Sequence, residues 1–476
     1  MNCAVIGLGK LGLPLAGMLH ETGNTVLGLD YDHRLIESLQ NGSFRSAEPD
    51  LMPLLRPSPR LSFTGDYARA VQESHAAFIV VPTPSHHTAP RFSLKYVKLA
   101  LDGLLASLFA QKRRDYQLIV VSTVMPGACQ NELWPQVLKA IPDAEDRNIQ
   151  LYYSPEFIAL GSVLQNMRYP DMILVGAQHT RGGYELASFL QQQVLNGAPT
   201  LVTGWVNAEL AKLGINSYLG LKMTMANMLG RLAGKLPGAD VDKVTDIMGH
   251  DSRIGPKYLR SGAPFGGPCL PRDLRALEAS LVDHEVPGRP ILAVSHYNEE
   301  LAKWLAQEIS RIAGRISGGG VPIGLLGFTY KSGTPVMEES PAQSIAAFLS
   351  MWNHPVHVFD ESLPASQARH EYRKFHWHDS AQAVLQCCPV LVLPKFSEAT
   401  LAGVTLEGWS GTIFDLWRQR PQWAGYPDVT LILQGIGPPP PSTQEIKDDL
   451  ERVANPPERP TGTLSERATA ARPPSA

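Results

Sequence analysis

The opening stretch, MNCAVIGLGKLG, restricts the fold of this chain more than any other segment. A short apolar run, Asn2 to Ile6, is followed by Gly7, Gly9 and Gly12 in a GxGxxG spacing, then by helical periodicity from Leu13 to His20 with Pro14 tolerated in the first turn. Gly7 permits a tight turn, Gly9 lets backbone approach a pyrophosphate, and Gly12 allows close helix packing, with Lys10 and Leu11 completing the loop. The helix N-terminus then faces the negative charge. The next strand, Thr25 to Asp30, ends in a carboxylate that would accept hydrogen bonds from a ribose diol and repel a 2′-phosphate, which favours NAD over NADP. Glycines that merely mark a turn, with Asp30 merely ending a strand, are the bland alternative, and the strand–turn–helix context argues against it.

Apolar runs at Ala77 to Val81, Leu118 to Val121 and Met172 to Val175 alternate with helical stretches such as Leu94 to Phe109, the βαβ rhythm of a parallel sheet wrapped in helices. Asn207 to Leu236 reads as one long helix, apolar on more than one face, and so buried between two domains or two subunits. A second series begins at Val321 to Phe328 and continues through a helix at Gln343 to Met351 and strands at Val356 to Phe359, Val390 to Leu393 and Thr412 to Phe414. The expected fold class is α/β: two doubly wound Rossmann-like domains, 1–200 and 313–436, joined by a helical central domain, 201–312. Residues 437–476 are rich in Pro and polar side chains and read as a disordered tail.

With 42 Lys and Arg against 45 Asp and Glu, the chain lacks the positive charge of a nucleic-acid binder. No stretch is long and apolar enough for a membrane helix, and the apolar N-terminus lacks the basic leader of a secretory signal. The five cysteines are too few and scattered for a disulfide framework, and with no CxxC pair no metal site is expected; a reducing, cytoplasmic setting fits best.

One cysteine stands apart. Cys269 lies in the Gly/Pro-rich SGAPFGGPCLPRD, with Arg272 and Asp273 just beyond, where cationic charge would favour a thiolate. On the long helix Lys212 and Asn216 are spaced to project from one face, and a lysine in so apolar a segment has the shifted pKa typical of sites. Glu156, in YYSPEF, follows a strand and a proline. The turn-rich VVPTPS and VSTVMPG, which hold Thr83 and Thr123, follow strands where open α/β sheets bind ligands.

In order along residues 1 to about 435, GLGKLGLPLA, VPTPS, STVMPG, SPEF, AELAKLGINSYL, RIGPKYL, FGGPCLPRDLRAL and LGFTYKSGT resemble the nucleotide-sugar 6-dehydrogenase family, which includes UDP-glucose and GDP-mannose dehydrogenases. The resemblance implies oxidation of a sugar C6 alcohol to a carboxylate with two NAD, through a thiohemiacetal and a thioester on Cys269. It further implies that Lys212 stabilises oxyanions, that Asn216 and Thr123 position the reacting oxygen or water, that Glu156 serves thioester hydrolysis, and that Asp273 works with the lysine on the catalytic water. Tyr258, Phe265, Gly266 and Lys331, beside Glu156, Lys212 and Asn216, should surround the nucleotide sugar, with Arg253 donated across a homodimer formed by the long helices.

The chain departs from the family pattern at Leu160, where an acid commonly precedes the glycine; at Glu338, where arginine is usual; and at Pro268 and Arg272, where serine and lysine are commoner. These departures imply retained chemistry and altered recognition of the substrate. UDP-glucose is favoured as the commonest substrate of the family, with GDP-mannose or an unusual UDP-sugar as the alternative. A two-electron hydroxyacid dehydrogenase without a catalytic cysteine, and a non-catalytic nucleotide-binding scaffold, are the other readings.

Overall fold

The computed structural model describes residues 1–56, 58–85, 90–316, 320–363, 368, 370–395, 397–439 and 442. Its first sheet contains β1 (Asn2–Ile6), β2 (Thr25–Leu29), β3 (Leu61–Thr64), β4 (Ala76–Ile79), β5 (Tyr116–Val120), β6 (Ile149–Tyr153), β7 (Ile173–Ala177) and β8 (Thr200–Gly204), in the order β3-β2-β1-β4-β5-β6-β7-β8. Short runs of Val, Ile, Leu and Ala make these strands because both faces are covered, each by its own apolar cluster. The strand order reverses between β1 and β4, which opens a crevice at their C-terminal ends.

The expected all-parallel rhythm fails at one junction. β6 and β7 are antiparallel, and β8 then follows β7. The only helix in the connection is Val163–Arg168, about 9 Å long at 1.5 Å per residue. That is shorter than the five-residue strand it would have to recross, about 17 Å. The reversal makes β8 run back toward the opposite edge, past the expected boundary at 200, and straight into the long central helix Trp205–Ala233. Trp205 Nε1 donates to the Leu151 carbonyl in β6 at 3.1 Å, so the helix starts pinned to the sheet and passes Lys212 about two turns later.

One face of that helix is buried, through Glu209, Lys212, Leu213, Asn216, Gly220, Thr224 and Asn227. The other face, with Tyr218, Leu221, Met225, Met228 and Leu232, is exposed, so a single chain covers only half of the helix. The helix that follows Cys269, Leu270–Asp283, packs on the buried face, and a second long helix, Arg289–Ile316, carries the chain past the expected boundary at 313.

The second sheet is wholly parallel: β9 (Ile323–Leu326), β10 (Val356–Phe359), β11 (His376–Trp377), β12 (Val390–Leu393), β13 (Gly411–Asp415) and β14 (Val429–Leu433), ordered β11-β10-β9-β12-β13-β14. Arg418 ties this sheet to the central domain, pairing with Asp242 and donating to the Ser261 and Gln434 carbonyls. At the start of the expected tail, Gly437 donates to the Ala239 carbonyl and Pro438 accepts from Gly238, so these two residues are held; the rest of 437–476, apart from Pro439 and Ser442, lies outside the described residues.

The second sheet has its own switch point, between β9 and β12, and it is filled. Asp360, at the end of β10, accepts from the Phe328 and Thr329 N–H groups and from Lys395 Nζ, at 2.6 to 2.8 Å. Burial alone would raise the Asp360 carboxyl, but Lys395 and the two backbone donors hold it below the usual carboxylate range. Replacing Lys395 with Met strands this carboxylate and should cost about 3–5 kcal/mol in urea unfolding, and Asp360→Asn on top of it should restore part of the loss. Equal stability of K395M and the parent would show that the pair contributes nothing.

Candidate active site

The ends of β1, β4 and β5, the loop after β6, the central helix and the loops before Cys269 and after β9 enclose a cavity of about 800 Å³. Its dinucleotide end is built by backbone. Gly7 has φ +94°, and a Cβ there would stand 2.4 Å from the Val80 carbonyl oxygen; one on Gly12 would stand 1.8 Å from the carbonyl oxygen of Gly7. Neither position admits a side chain, because the turn meets the end of β4 at Gly7 and the first helix (Gly12–Glu21) meets the turn at Gly12, backbone against backbone. A Cβ on Gly9 would meet nothing within 4 Å, which leaves the approach to the loop open.

Asp30 anchors the same loop, accepting from Leu8 N–H at 2.7 Å on one oxygen and from Asp32 N–H at 3.0 Å on the other. It faces the cavity with Gly7, Gly9, Lys10 and Leu11. Thr83 and Thr123 follow along the wall, joined by a 2.8 Å hydrogen bond from Thr83 Oγ1 to the Thr123 carbonyl. An open glycine loop, a helix N-terminus and a carboxylate at the end of the second strand fit a dinucleotide with a free ribose diol.

The deep end collects the charged groups. Lys212 Nζ donates to the Glu156 carbonyl at 2.8 Å and sits 4.6 Å from the centre of the Phe157 ring. Asn216 Nδ2 donates to Asp273 Oδ2 at 2.6 Å, while Arg272 binds the other oxygen of the fully buried Asp273 at 3.2 and 3.3 Å. Cys269 caps the helix that carries Asp273 and lines the cavity with all of them. Tyr258, Gly266 and Lys331 complete the wall, and Lys331 Nζ reaches the Leu160 carbonyl at 3.4 Å.

Burial sets the acid–base character here. It pushes Glu156 up to about 7, against the pull of Lys212. It lowers Lys212, although Asp273, Cys269 and Glu156 all favour its charged form. The thiol differs from the sequence expectation: Arg272 and Lys212 do favour the thiolate, but burial, reinforced by Asp273, outweighs them and raises Cys269 above its ordinary value. At rest the Cys269 side chain is therefore a thiol.

Three expected site residues lie off the cavity wall. Gly12 is inside the first helix, packed on Gly7. Phe265 is buried with Leu274 and Val294, and Asn298 brackets its backbone with two hydrogen bonds of 2.9 Å. Arg253 is exposed and pairs with Asp251. Tyr330 also lines the cavity; its sequence signal is its place beside Lys331 in LGFTYKSGT. Glu209, fully buried one turn before Lys212, accepts from Gly127 and Cys129 N–H at 2.6 and 2.8 Å; an acid in so apolar a helix was its only sequence signal.

Family models match the chain in three consecutive blocks: the NAD binding domain of the UDP-glucose/GDP-mannose dehydrogenase family at residues 1–193, its central domain at 206–300 and its UDP binding domain at 324–405. The chain belongs to the UDP-glucose/GDP-mannose dehydrogenase family. It is thus an NAD-dependent nucleotide-sugar dehydrogenase, and the glycine loop with Asp30 is where its own residues fit NAD. It is 30% identical over 398 residues to the UDP-glucose 6-dehydrogenase of Rickettsia conorii, covering 83% of this chain and 88% of that one. It is 29% identical over 383 residues to the GDP-mannose 6-dehydrogenase of Pseudomonas aeruginosa, covering 79% and 83%. A solved UDP-glucose dehydrogenase from Pyrobaculum islandicum superposes with a TM-score of 0.78 at 27% identity, covering 92% of this chain and 96% of that one. Among the described residues no helix is long and apolar enough to cross a membrane.

Proposed function

We propose that this enzyme oxidises the C6 alcohol of UDP-glucose to the carboxylate of UDP-glucuronate, a four-electron reaction carried through Cys269. What supports the reading is one observation: the cavity that holds the cofactor loop also holds a cysteine, a buried lysine and two buried or half-buried carboxylates. A two-electron alcohol dehydrogenase has no use for that cysteine, and a scaffold has no use for the set. UDP-glucose is preferred because relatives at about 30% identity carry that name. GDP-mannose remains the second reading, favoured by a relative of nearly equal identity.

When bound, NAD supplies the hydride acceptor for both oxidations; the remaining steps fall to the chain. Once the C6 alcohol has become an aldehyde, Cys269 Sγ adds to its carbonyl carbon, the carbonyl electron pair moves to oxygen, and the thiol proton must leave. Lys212 in its neutral form, which burial favours, receives that proton and becomes an ammonium beside the new oxyanion. Asn216, fixed by Asp273, supplies a second donor to the same oxygen. After the second hydride leaves C6 the oxygen re-forms a carbonyl, now a thioester. Water adds to it, the C–S bond breaks, and the departing sulfur takes back the proton held on Lys212, so that the thiol and the neutral lysine are regenerated with a carboxylate as product. Glu156, poised near 7, takes the proton of that water.

The exposed apolar face of the central helix supports a homodimer, with Tyr218, Leu221 and Met225 facing a second copy. Arg253, exposed in the loop after the helix Val241–His250, is the residue we propose to be donated to the cavity of the second copy.

Incubation with UDP-glucose and NAD should yield two NADH per sugar, with GDP-mannose and UDP-N-acetylmannosamine as comparison substrates. Cys269→Ser should lose the second oxidation and fall at least about 10³-fold in overall turnover. One NADH per sugar from the parent would sink the thioester route, and a faster GDP-mannose reaction would transfer the assignment to the second reading. Because a base works in its deprotonated form, the hydrolysis half-reaction should accelerate as pH rises through about 7, and Glu156→Gln should flatten that limb and slow the step about 10²- to 10⁴-fold. A rise through the same pH in E156Q would assign the limb to another group. Sedimentation equilibrium should give twice the chain mass, and Leu221→Asp should shift it toward one chain; a monomeric parent would end the dimer proposal.

A further inference from the structure

Far from the cofactor loop in sequence, the edge of the second sheet assembles a cluster that the oxidation chemistry does not use. His357 in β10 pairs in register with His376 in β11, so their side chains share one face, and His378, two residues on, returns to that face. The opposite face, with Val356, Val358 and Trp377, is apolar core. The three imidazoles stack: the His357 centroid is 4.7 Å from that of His376 and 5.1 Å from that of His378. His357 Nδ1 and His378 Nε2 are 2.8 Å apart and share one hydrogen bond. Over them ends the helix Ala381–Cys387, whose last residue brings its thiol to the same point. One ligand atom each from His357, His378 and Cys387 lies within 4.8 Å of the other two.

We infer that His357, His378 and Cys387 form a site for a divalent cation of zinc type. Two imidazole nitrogens and a sulfur are the donor set of borderline-soft ions, and a tetrahedral ion bound by them keeps a fourth position for water. Hard oxygen-seeking ions such as Mg²⁺ and Ca²⁺ find no carboxylate in the triad. The ligands are nearly ready. The two rings already stand side by side, with His357 Nδ1 and His378 Nε2 at 2.8 Å. Binding breaks the shared His–His hydrogen bond, releases the Cys387 proton, and puts all three donors on the metal.

None of the three residues lines the catalytic cavity, so the ion serves structure and not the oxidation. It closes a weak edge: β11 has only two residues and pairs on one side alone, and the metal clips it and β10 to the helix above. The sequence hides the site because His357 and Cys387 are 30 positions apart, and it takes the pairing of β10 with β11 and the packing of the helix Ala381–Cys387 to unite them.

The test uses the full chain with any affinity tag removed and metals stripped by chelator. Zn²⁺ titration against a chromophoric chelator should give one tight site per chain, retained in Cys269→Ser, which excludes the catalytic thiol. Co²⁺ should give a thiolate charge-transfer band and the intense visible bands of tetrahedral coordination. Cys387→Ser and His378→Ala should each weaken zinc more than about 100-fold, since even partners outside the ligand set are worth 10- to 100-fold. Zinc should raise the melting midpoint of the parent but not of C387S, whose exposed position leaves metal-free folding intact. Turnover should be the same with and without zinc. No zinc retained against the chelator, or equal zinc binding by parent, C387S and H378A, would overturn the proposal.

Discussion

The arrangement of this enzyme depends on a polar stripe buried along one face of its central helix. Glu209, Lys212 and Asn216 lie at helical spacing on the buried side of that helix, and all three are below a tenth exposed. Groups of this kind are tolerated inside only when they are paired. Glu209 meets two N–H groups at Gly127 and Cys129, Lys212 meets the Glu156 carbonyl, and Asn216 meets Asp273. Each partner belongs to a different segment: the loop after β5, the loop after β6 and the helix after Cys269. The requirement to satisfy three buried groups therefore fixes three active-site loops against one rod, and a shift of the helix by one residue would break all three contacts.

The two sheets show how one local device yields two outcomes. In both, a carboxylate at the end of the second strand accepts from the backbone after the first: Asp30 from Leu8, and Asp360 from Phe328 and Thr329. The strand orders around them correspond. The difference is the neighbour after the fourth strand in space. Beside Asp30 there is cavity, so the carboxylate keeps acceptor capacity for a ligand. Beside Asp360 stands Lys395, at 2.8 Å and almost fully buried, which neutralises the acid and occupies the crevice. A lysine on one loop thus converts a dinucleotide crevice into a structural ion pair.

Much of this was legible from residue patterns. The glycine turn, the strand runs of β1, β2, β4 and β5 and the long helix need only local sterics and periodicity, and the structure matches them within a few residues, while β3 lies outside the expected runs. The reversal at β7 was not legible, because an apolar run such as ILVGA carries no sign of direction and only the shortness of the Val163–Arg168 helix decides it. The site was legible where one residue type had one use, as with Cys269 between glycines and Asp273. It was misjudged where environment decides: the thiol read as cation-activated is raised by burial, and Phe265 turns into the apolar cluster with Leu274 and Val294. Pairings across a fold, such as Glu209 with Gly127 or His357 with His376, leave no trace in a single sequence.

The substituted positions carry the argument one step further. Glu338, where the family usually has arginine, lines the cavity and adds to the raising of Cys269. An arginine in that place would act with Lys212 and Arg272 to lower the thiol; an acid opposes them. In the proposed reaction the cycle then begins further from the thiolate than the family pattern implies, with proton transfer from Cys269 as part of the addition step. That proposal gives Lys212 a double duty, as acceptor of the thiol proton and then as the cation beside the oxyanion. Such duty suits a lysine and not an arginine, because burial lowers the pKa of the Lys212 ammonium whereas a guanidinium keeps its proton. On the proposed route the departure at Glu338 thus bears on the central helix as much as on the substrate, since it leaves the buried Lys212 as the group that takes the Cys269 proton.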